Sequence, residues 1–243
     1  MPVIKKITSE AIIGKSVWVG NCDDEVFSGS CDFQAVALAA ATWNDLETDS
    51  YLKDNGRYRK RRYAELVYDA TLDELTDLKR TSFYQSTAYN QVNGGTRTFM
   101  LIDDGLLLSP LLQRILKHFS RRFSTALGAR RLELFLHQVR ILGEPGITGL
   151  PTPEGIHKDG VDFSCQILFG RKNLTGGESI IYDNEKQALV ATTMLEPLDF
   201  YCFRDPDIYH SVTPVSSLDG VSTGTRDILG VEFCVQRERE AQK

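Results

Sequence analysis

The sequence predicts an α+β fold in which a sandwich or jelly roll of short strands fills the C-terminal half and helices of the N-terminal half pack outside it. Helical periodicity is confined to the residues before Gly128. After Gly128 the chain becomes a series of short apolar runs separated by turn signals, such as the pair Gly176 and Gly177. Many short strands at regular spacing are typical of a β-sandwich or jelly roll.

The length and composition of the chain limit the number of domains and the classes of partner that are expected. A chain of 243 residues suits a single domain, 1–243, with a mixed cap and support over about 1–130 and a core carrying the site over about 131–235. A formal net charge of -5 argues against a nucleic-acid partner. The sequence shows no apolar run of membrane-spanning length and no signal peptide, so we expect a cytoplasmic protein without a membrane partner.

The cysteines are expected to be free. Five are present, widely spaced and without a C-x-x-C pair: Cys22, Cys31, Cys165, Cys202 and Cys234. This pattern does not favour a disulfide framework or a zinc ribbon. The last three lie in apolar strands, so we expect them to behave as small buried hydrophobic residues.

The N-terminal half mixes helices and strands. Asp32 is the predicted N-cap of a helix. The helical spacing of Phe33 and Val36 supports this helix, which is expected to end near Asp49. Thr71 and Glu74 fit a capping box, which predicts a short helix over about 71–79. The other predicted segments are one or two strands over 3–19, a polar loop over 50–62, a strand over 63–68 and a hairpin or loop over 83–97.

The strongest local prediction is a helix that begins after Ser109. Ser109 caps it, Pro110 takes the first helical position and Gly128 ends it. One apolar stripe predicts packing against a sheet. The strands that follow are predicted over 132–142, 162–169, 178–182, 187–195, 198–203, 209–215 and 226–235.

The stretch 155–160 carries the clearest chemical signal. On a strand, residues two apart point to the same face, so His157 and Asp159 are expected to face one cavity. Two histidines and one carboxylate form the facial triad of non-haem iron oxygenases. His210, on a later strand, is the candidate third ligand. His137 could line the cavity or satisfy a core hydrogen bond, and His118 is expected at the surface of its helix.

Arg226 opens an apolar strand. A buried guanidinium needs an anion, and its planar fork suits a carboxylate. From the residues alone, two partners stay open: the carboxylate of a small molecule, or a structural pair with an acidic side chain such as Glu232.

Together, His157-x-Asp159, His210 and Arg226 resemble the Fe(II)/2-oxoglutarate-dependent dioxygenases. The segments 83–95, 136–140, 157–159, 210–214 and 226–229 look like the bacterial L-isoleucine 4-hydroxylase group. The resemblance implies a cupin-like double-stranded β-helix, an iron site of His157, Asp159 and His210, and an Arg226 that holds 2-oxoglutarate. It also implies O2 as cosubstrate, and the carboxylate ligand favours hydroxylation over halogenation. One departure is Ile228, where many members of the family place a Ser or Thr that shares the carboxylate contact.

The resemblance implies a small-molecule substrate, a free and aliphatic L-amino acid. The candidate substrate residues are Arg59, Gln85, Asn90, Gln138 and Asp162. Arg59 could instead be a solvated surface charge, and a role in a turn explains Asp162 equally well. Two alternatives stay open: the same chemistry on a peptide side chain or secondary metabolite, and a non-catalytic cupin-like binding protein. The sequence does not fix the oligomeric state, and a homodimer stays open.

Overall fold

The computed structural model describes residues 11–13, 16–87 and 94–236. Within them the helices are α1 (Cys22–Phe27), α2 (Phe33–Ala41), α3 (Asp104–Leu107) and α4 (Pro110–Leu127). The strands of the first half are β1 (Ala11–Ile13), β2 (Val17–Asn21), β3 (Glu47–Thr48), β4 (Arg59–Asp69), β5 (Glu74–Asp77), β6 (Ser82–Gln85) and β7 (Gly95–Thr98). Those of the second half are β8 (Arg131–Gly143), β9 (Phe163–Lys172), β10 (Leu174–Gly176), β11 (Ser179–Tyr182), β12 (Ala188–Thr192), β13 (Asp199–Arg204), β14 (Tyr209–Val212), β15 (Val215–Ser217) and β16 (Gly224–Val235).

Two antiparallel sheets dominate the fold. The major sheet has the order β1-β2-β13-β9-β16-β8-β4-β3, with β5 added beside β4. The smaller sheet has the order β12-β11-β14. An apolar cluster joins them, with Ile181 and Val190 from the small sheet and Leu168, Tyr201 and Ile228 from the large one. The predicted α+β class is therefore confirmed.

The major sheet has two buried faces with different contents. On β16, Leu229, Val231 and Phe233 belong to the main hydrophobic core. The alternate residues Arg226, Ile228, Gly230 and Glu232 line a cavity on the other face. Because successive side chains of a strand point to opposite faces, one strand supplies both the core and the cavity.

Helix α4 covers the core face as predicted. Ser109 Oγ accepts the N–H of Leu112, and Gly128 ends the helix in the left-handed conformation (φ 61°). The ring of Phe123 stacks on Phe163 of β9 at a centroid distance of 4.3 Å and meets Phe233 of β16 at 4.8 Å. The helix therefore lies on the face of the sheet that is opposite the cavity.

Three local predictions in the first half are wrong. Helix α2 ends at Ala41 and a 3₁₀ turn follows, so the helix stops short of Asp49. The segment 71–79 forms a turn and strand β5, because Asp69 Oδ1 accepts the N–H groups of Thr71 and Leu72 and closes a hairpin. The predicted loop over 50–62 already contains the first residues of β4, which pair with β8.

Two predictions in the second half also need correction. His157 makes only an isolated bridge with His210, so His157 and Asp159 lie in a loop and not on a strand. The predicted strand over 209–215 is interrupted between β14 and β15. Both segments are nevertheless held against the rest of the fold by backbone hydrogen bonds.

The cysteine prediction is wrong for one pair. Cys165 and Cys202 are directly opposed on β9 and β13 and are joined in a disulfide. Cys22, Cys31 and Cys234 are free. Over the described residues, no helix has the length and apolar character needed to cross a membrane.

Candidate functional site

Three side chains that are far apart in sequence meet at one point. His157, Asp159 and His210 each offer a ligand atom, and these atoms all lie within 4.8 Å of one another. His157 Nε2 is 3.4 Å and His210 Nε2 is 3.7 Å from Asp159 Oδ1. The carbonyl of Gly155 can only accept, so the contact at 2.9 Å assigns a proton to His157 Nδ1 and leaves Nε2 facing the other two side chains. Two imidazoles and a carboxylate are a donor set that suits Fe(II).

The ligand loop is held by a buried carboxylate that the sequence did not reveal. Asp205 accepts the backbone N–H groups of Asp159 and Gly160 at 2.8 Å each and that of Val161 at 3.3 Å. Gly160 adopts a positive φ of 84°, a conformation that favours glycine. Lys158 points away from the triad, as predicted, with its Nζ donating to Asn184 and to the carbonyl of Pro206.

The charges of the triad favour a cation at its centre. Burial lowers the pKa of His157, but Asp159 and Glu154 outweigh it and raise the pKa to about 9. Burial and repulsion by His157 lower the pKa of His210 to about 3. Burial acts to raise the pKa of Asp159, but His210 and His157 bring it well below its usual range. At neutral pH His157 is therefore an imidazolium, His210 is neutral and Asp159 is a carboxylate, so the charges of the triad cancel and a metal ion can take the place of the His157 proton.

Arg226 lies buried on β16 and has no ionic partner among the described residues. Its Nε forms no hydrogen bond within the described structure, and its side chain is in no ion pair there. Burial, with repulsion from Arg171, lowers the pKa of Arg226 to about 10, so the guanidinium is still charged at neutral pH. Glu232 lies beside His137 instead, 3.3 Å from its Nε2. The alternative of a structural pair between Arg226 and Glu232 is therefore wrong, and Arg226 is available to an anionic ligand.

The His157, Asp159 and His210 triad and Arg226 line one cavity of about 140 Å³. Arg59 of β4, Ile141 of β8 and Arg226 of β16 are opposed in one row of the sheet, and Arg61, Val139 and Ile228 form the next row. Across the cavity stand His210 and Val212 of β14. The remaining lining residues are Phe83, Gln85, Arg97, His137, Pro151, Thr152, Glu154, His157, Asp159, Gln166, Tyr201, Gly230 and Glu232.

Two of the five candidate substrate residues line this cavity. Arg59 is buried, and its Nε donates to Asp49 at 2.8 Å, so the reading of Arg59 as a solvated charge is wrong. Burial acts to raise the pKa of Asp49, but Arg59 and Arg61 lower it below its ordinary value. Gln85 donates to the carbonyl of Asp159 at 3.2 Å. Asn90 lies outside the described residues.

Two candidates lie elsewhere. Gln138 is on the opposite face of β8 from His137, and its amide donates to Thr42 Oγ1 at 2.8 Å. Asp162 accepts the N–H of Val235 at 2.8 Å, outside the cavity. The expectation that either residue lines the substrate site is wrong. In the case of Gln138 the reason is strand alternation, since only one of two neighbours can face the cavity.

Sequence reasoning did not assign a ligand-binding role to five polar residues that line the cavity, of which Glu232 had been considered only as a partner of Arg226: Arg61, Arg97, Glu154, Tyr201 and Glu232. Arg61 carried a weak signal, because Arg59, Arg61 and Tyr63 alternate with a period of two into a predicted strand. Tyr201 and Glu232 are brought in by strand pairing, Arg97 by the β6–β7 hairpin and Glu154 by a turn before the ligand loop, and none of these leaves a local pattern. His137, for which two roles stayed open, lines the cavity and accepts a hydrogen bond from Arg61 at Nδ1.

Comparisons with known proteins agree with this geometry. The family described as 2OG-Fe dioxygenase matches residues 40–232. An L-isoleucine-4-hydroxylase of Bacillus thuringiensis is 28% identical over 201 residues, which are 80% of this chain and 81% of the relative. The bifunctional enzyme flvA of Aspergillus flavus is 30% identical over 105 residues, which are 37% of this chain and 13% of that protein.

Solved structures show the same fold. A bsmA homologue from Methylobium petroleophilum PM1 has a TM-score of 0.83 and 27% identity, and the match covers 91% of this chain and 89% of the other. IDO from Bacillus thuringiensis has a TM-score of 0.76 and 21% identity, with coverage of 97% and 100%. These likenesses confirm the predicted cupin-like double-stranded β-helix, or jelly roll.

Proposed function

The chain belongs to the 2OG-Fe dioxygenase family, and we propose that it hydroxylates a free L-amino acid with an aliphatic side chain. As a member of this family it is an enzyme that uses Fe(II), 2-oxoglutarate and O2. The reading as a non-catalytic binding protein is thereby excluded. The observation that carries the proposal is the convergence of His157, Asp159, His210 and an unpaired Arg226 on one cavity.

His157, Asp159 and His210 are the proposed iron ligands. The two histidines are buried and Asp159 is half-buried, and the donor atoms lie close together and are of the right chemical type, so the residues fit the metal. When bound, Fe(II) with 2-oxoglutarate and O2 supplies an oxidant for an unactivated C–H bond, and 2-oxoglutarate becomes succinate and CO2. The chain's own task is to hold the three ligands on one side, which leaves the opposite side to cosubstrate and substrate.

Arg226 is the proposed anchor of the 2-oxoglutarate carboxylate that is remote from the metal. Its guanidinium can donate two parallel hydrogen bonds to one carboxylate. Ile228 cannot assist, because it has no hydroxyl group. We infer that the hydroxyl group of Tyr201 shares the carboxylate contact with Arg226. Tyr201 lines the same cavity. Burial raises the pKa of Tyr201, and Arg226 lies close enough to oppose this rise.

The amino acid would lie between the metal ligands and the arginine side of the cavity. The hydroxylase relative at 28% identity supports this substrate class, and Arg59 and Gln85 line that part of the cavity. The expectation for Asn90 stays a proposal. A small cavity with a few placed polar groups suits a small molecule, and we propose such a molecule in preference to a peptide side chain.

Anaerobic spectroscopy tests the metal and cosubstrate roles. Adding Fe(II) and 2-oxoglutarate to the protein should produce a weak visible charge-transfer band, and His157→Ala should remove it. Lys158→Ala is the matched control, because Lys158 points away from the triad. Absence of the band in the parent protein, or equal iron binding by His157→Ala, would contradict the proposal.

A further inference from the structure

We propose that Arg61 and Arg97 bind the α-carboxylate of the substrate and that Glu154 accepts its α-ammonium group. The enzyme would then accept free α-amino acids and reject those that are blocked at either group. This inference rests on the proposed function and names the residues that recognise its substrate.

The first support is a set of polar atoms that are buried but lack a hydrogen-bond partner. Within the described residues, these include Arg61 Nε, Arg97 Nε and Glu154 Oε2, and all three side chains line the same cavity. Leaving a buried polar atom without a partner is unfavourable, and for a charged group it is more so. Three such atoms around one cavity therefore indicate a ligand with both acceptors and donors.

Arg61 and Arg97 form one anion site. Both guanidiniums contact the ring of Phe83, at 5.8 Å and 5.0 Å from its centroid, and they are close enough for Arg97 to lower the pKa of Arg61. Both side chains are buried, and neither forms an ion pair within the described structure. Burial and mutual repulsion lower the pKa of Arg61 to about 9, which still leaves it charged at neutral pH.

Arg59 is a weaker candidate for the carboxylate than the sequence suggested. Its Nε is bonded to the buried carboxylate of Asp49 at 2.8 Å, which neutralises its charge locally. Within the described residues, the hydrogen-bond partner of Arg97 is neutral: Gln85 Oε1 accepts at 2.9 Å. Arg61 donates to the neutral His137, whose pKa is held well below its ordinary value by burial and by the arginines. In the part of the chain that the structure describes, Arg61 and Arg97 therefore have neutral hydrogen-bond partners, and the carboxylates of Asp49 and Glu232 act on them only at longer range.

The anion site is tied to the metal loop. Gln85 accepts from Arg97 and donates from Nε2 to the carbonyl of Asp159 at 3.2 Å. Two hydrogen bonds thus separate Arg97 from a proposed iron ligand. A carboxylate held by Arg97 would place the rest of a small substrate within reach of the metal.

Glu154 supplies the opposite charge on the metal side. Its Oε1 lies 3.3 Å from His157 Nε2, and its Oε2 is buried without a partner. Glu154 is not among the three residues whose ligand atoms cluster within 4.8 Å, so it stands beside the metal group and not inside it. A carboxylate oxygen that lacks a hydrogen-bond partner in the described structure thus lines the same cavity as two guanidiniums that form no ion pair there, which matches the two charges of a zwitterion.

Calorimetric titration tests this assignment. Protein loaded anaerobically with Fe(II) and 2-oxoglutarate is titrated with the amino acid that the parent enzyme hydroxylates, and with its N-acetyl and methyl ester derivatives. The free amino acid should bind, and each blocked derivative should bind at least about 10-fold more weakly, as expected for loss of a charge-assisted hydrogen bond. Equal binding of either derivative would overturn the role of the residue that faces the blocked group.

Variants provide the second measurement. Arg97→Met, Arg61→Met and Glu154→Gln should each weaken amino acid binding by about 10- to 100-fold. The two arginine variants should keep Fe(II) and 2-oxoglutarate affinities within about 2-fold of the parent. Arg62→Gln, whose guanidinium donates to the carbonyl of Asp45, and Glu185→Gln, at an exposed position, are the matched controls. A Glu154→Gln protein that loses iron affinity would overturn the assignment, because Glu154 would then be a metal ligand.

The two levels of the proposal fail in different ways. If the parent enzyme hydroxylates a free amino acid and the three variants bind it as tightly as the controls, this inference is overturned and the proposed function stands. If the parent enzyme converts 2-oxoglutarate to succinate but neither binds nor oxidises any free amino acid, both are overturned.

Discussion

The backbones of His157 and His210 are hydrogen-bonded to each other, with each N–H donating to the other's carbonyl at 3.0 Å and 2.9 Å. The two residues are separated by more than fifty positions in the sequence, yet the centroids of their rings are only 4.2 Å apart. This bridge attaches the ligand loop to β14, which in turn pairs with β11 at Ile181. The proposed iron site therefore depends on backbone pairing as much as on the identity of its ligands.

Asp205→Ala should weaken Fe(II) binding by about 10- to 100-fold, the usual effect of removing a group that orients a metal ligand. The reason is that Asp205 fixes the backbone of Asp159, Gly160 and Val161. Asp207→Ala is the control, because Asp207 lies in the same turn but bonds to Ser16 and Arg204. Anaerobic competition against a coloured chelator measures both affinities, and equal values for the two variants would contradict the positioning role.

Arg226→Met should weaken 2-oxoglutarate binding by at least about 100-fold, since two charge-assisted hydrogen bonds are lost. It should leave Fe(II) affinity unchanged, and it should raise the melting temperature of the ligand-free protein, because an unpaired buried charge is replaced by an apolar side chain. In Arg171→Met, by contrast, hydrogen bonds to the carbonyls of Leu174 and Gly176 are lost, so that control should melt lower. An unchanged 2-oxoglutarate affinity for Arg226→Met would rule out Arg226 as the anchor.

Iron affinity should rise with pH over an unusually wide range. The pKa of His157 in the metal-free protein is raised from 6.5 to about 9, and the metal requires the neutral imidazole. Binding should therefore strengthen about 10-fold per pH unit up to about pH 9, with release of one proton. The raised pKa also means that protonated His157 stabilises the metal-free fold. This stabilisation is fully present below about pH 6.5 and is lost as the pH rises through about 9. A plateau in iron affinity that begins near pH 6.5 would contradict the raised pKa.

Tyr201→Phe should weaken 2-oxoglutarate binding by about 3- to 10-fold, the effect of one neutral hydrogen bond. Tyr182→Phe is the control, since the Tyr182 hydroxyl contacts Ser211 at 3.1 Å and Tyr182 does not line the cavity. Binding is measured anaerobically on the iron-loaded protein. If the two variants bind 2-oxoglutarate equally well, another group must assist Arg226.

Residue type and order were enough to predict the triad and Arg226 as candidates. The His157-x-Asp159 spacing followed by His210 and Arg226 matches the motif order of a known family, and this match does not depend on the strand that was wrongly predicted for His157 and Asp159. Helix α4 was predictable because Ser109, Pro110 and Gly128 act locally. In both cases the signal lies within a few residues of the feature it predicts.

The substrate side of the cavity was not predictable in the same way. Arg61 and Arg97 come together only because the β6–β7 hairpin, in which Phe83 pairs with Arg97, packs against β4 through the ring of Phe83. Gln138 was misassigned because β8 has apolar neighbours on both faces, so the sequence does not reveal which face holds the cavity. The predicted helix over 71–79 does not form, because Asp69 Oδ1 accepts the N–H of Thr71 in a turn and this hydrogen bond competes with the predicted capping box.

The most direct test of the central claim is mass spectrometry of the products formed from a pool of free L-amino acids with Fe(II), 2-oxoglutarate, ascorbate and O2. We expect one or a few aliphatic members to gain the mass of a single oxygen atom, with succinate formed in equal amount. His210→Ala should abolish both products. Succinate formation without an oxidised amino acid would contradict the proposed substrate class, and absence of succinate from the parent protein would contradict the proposed reaction.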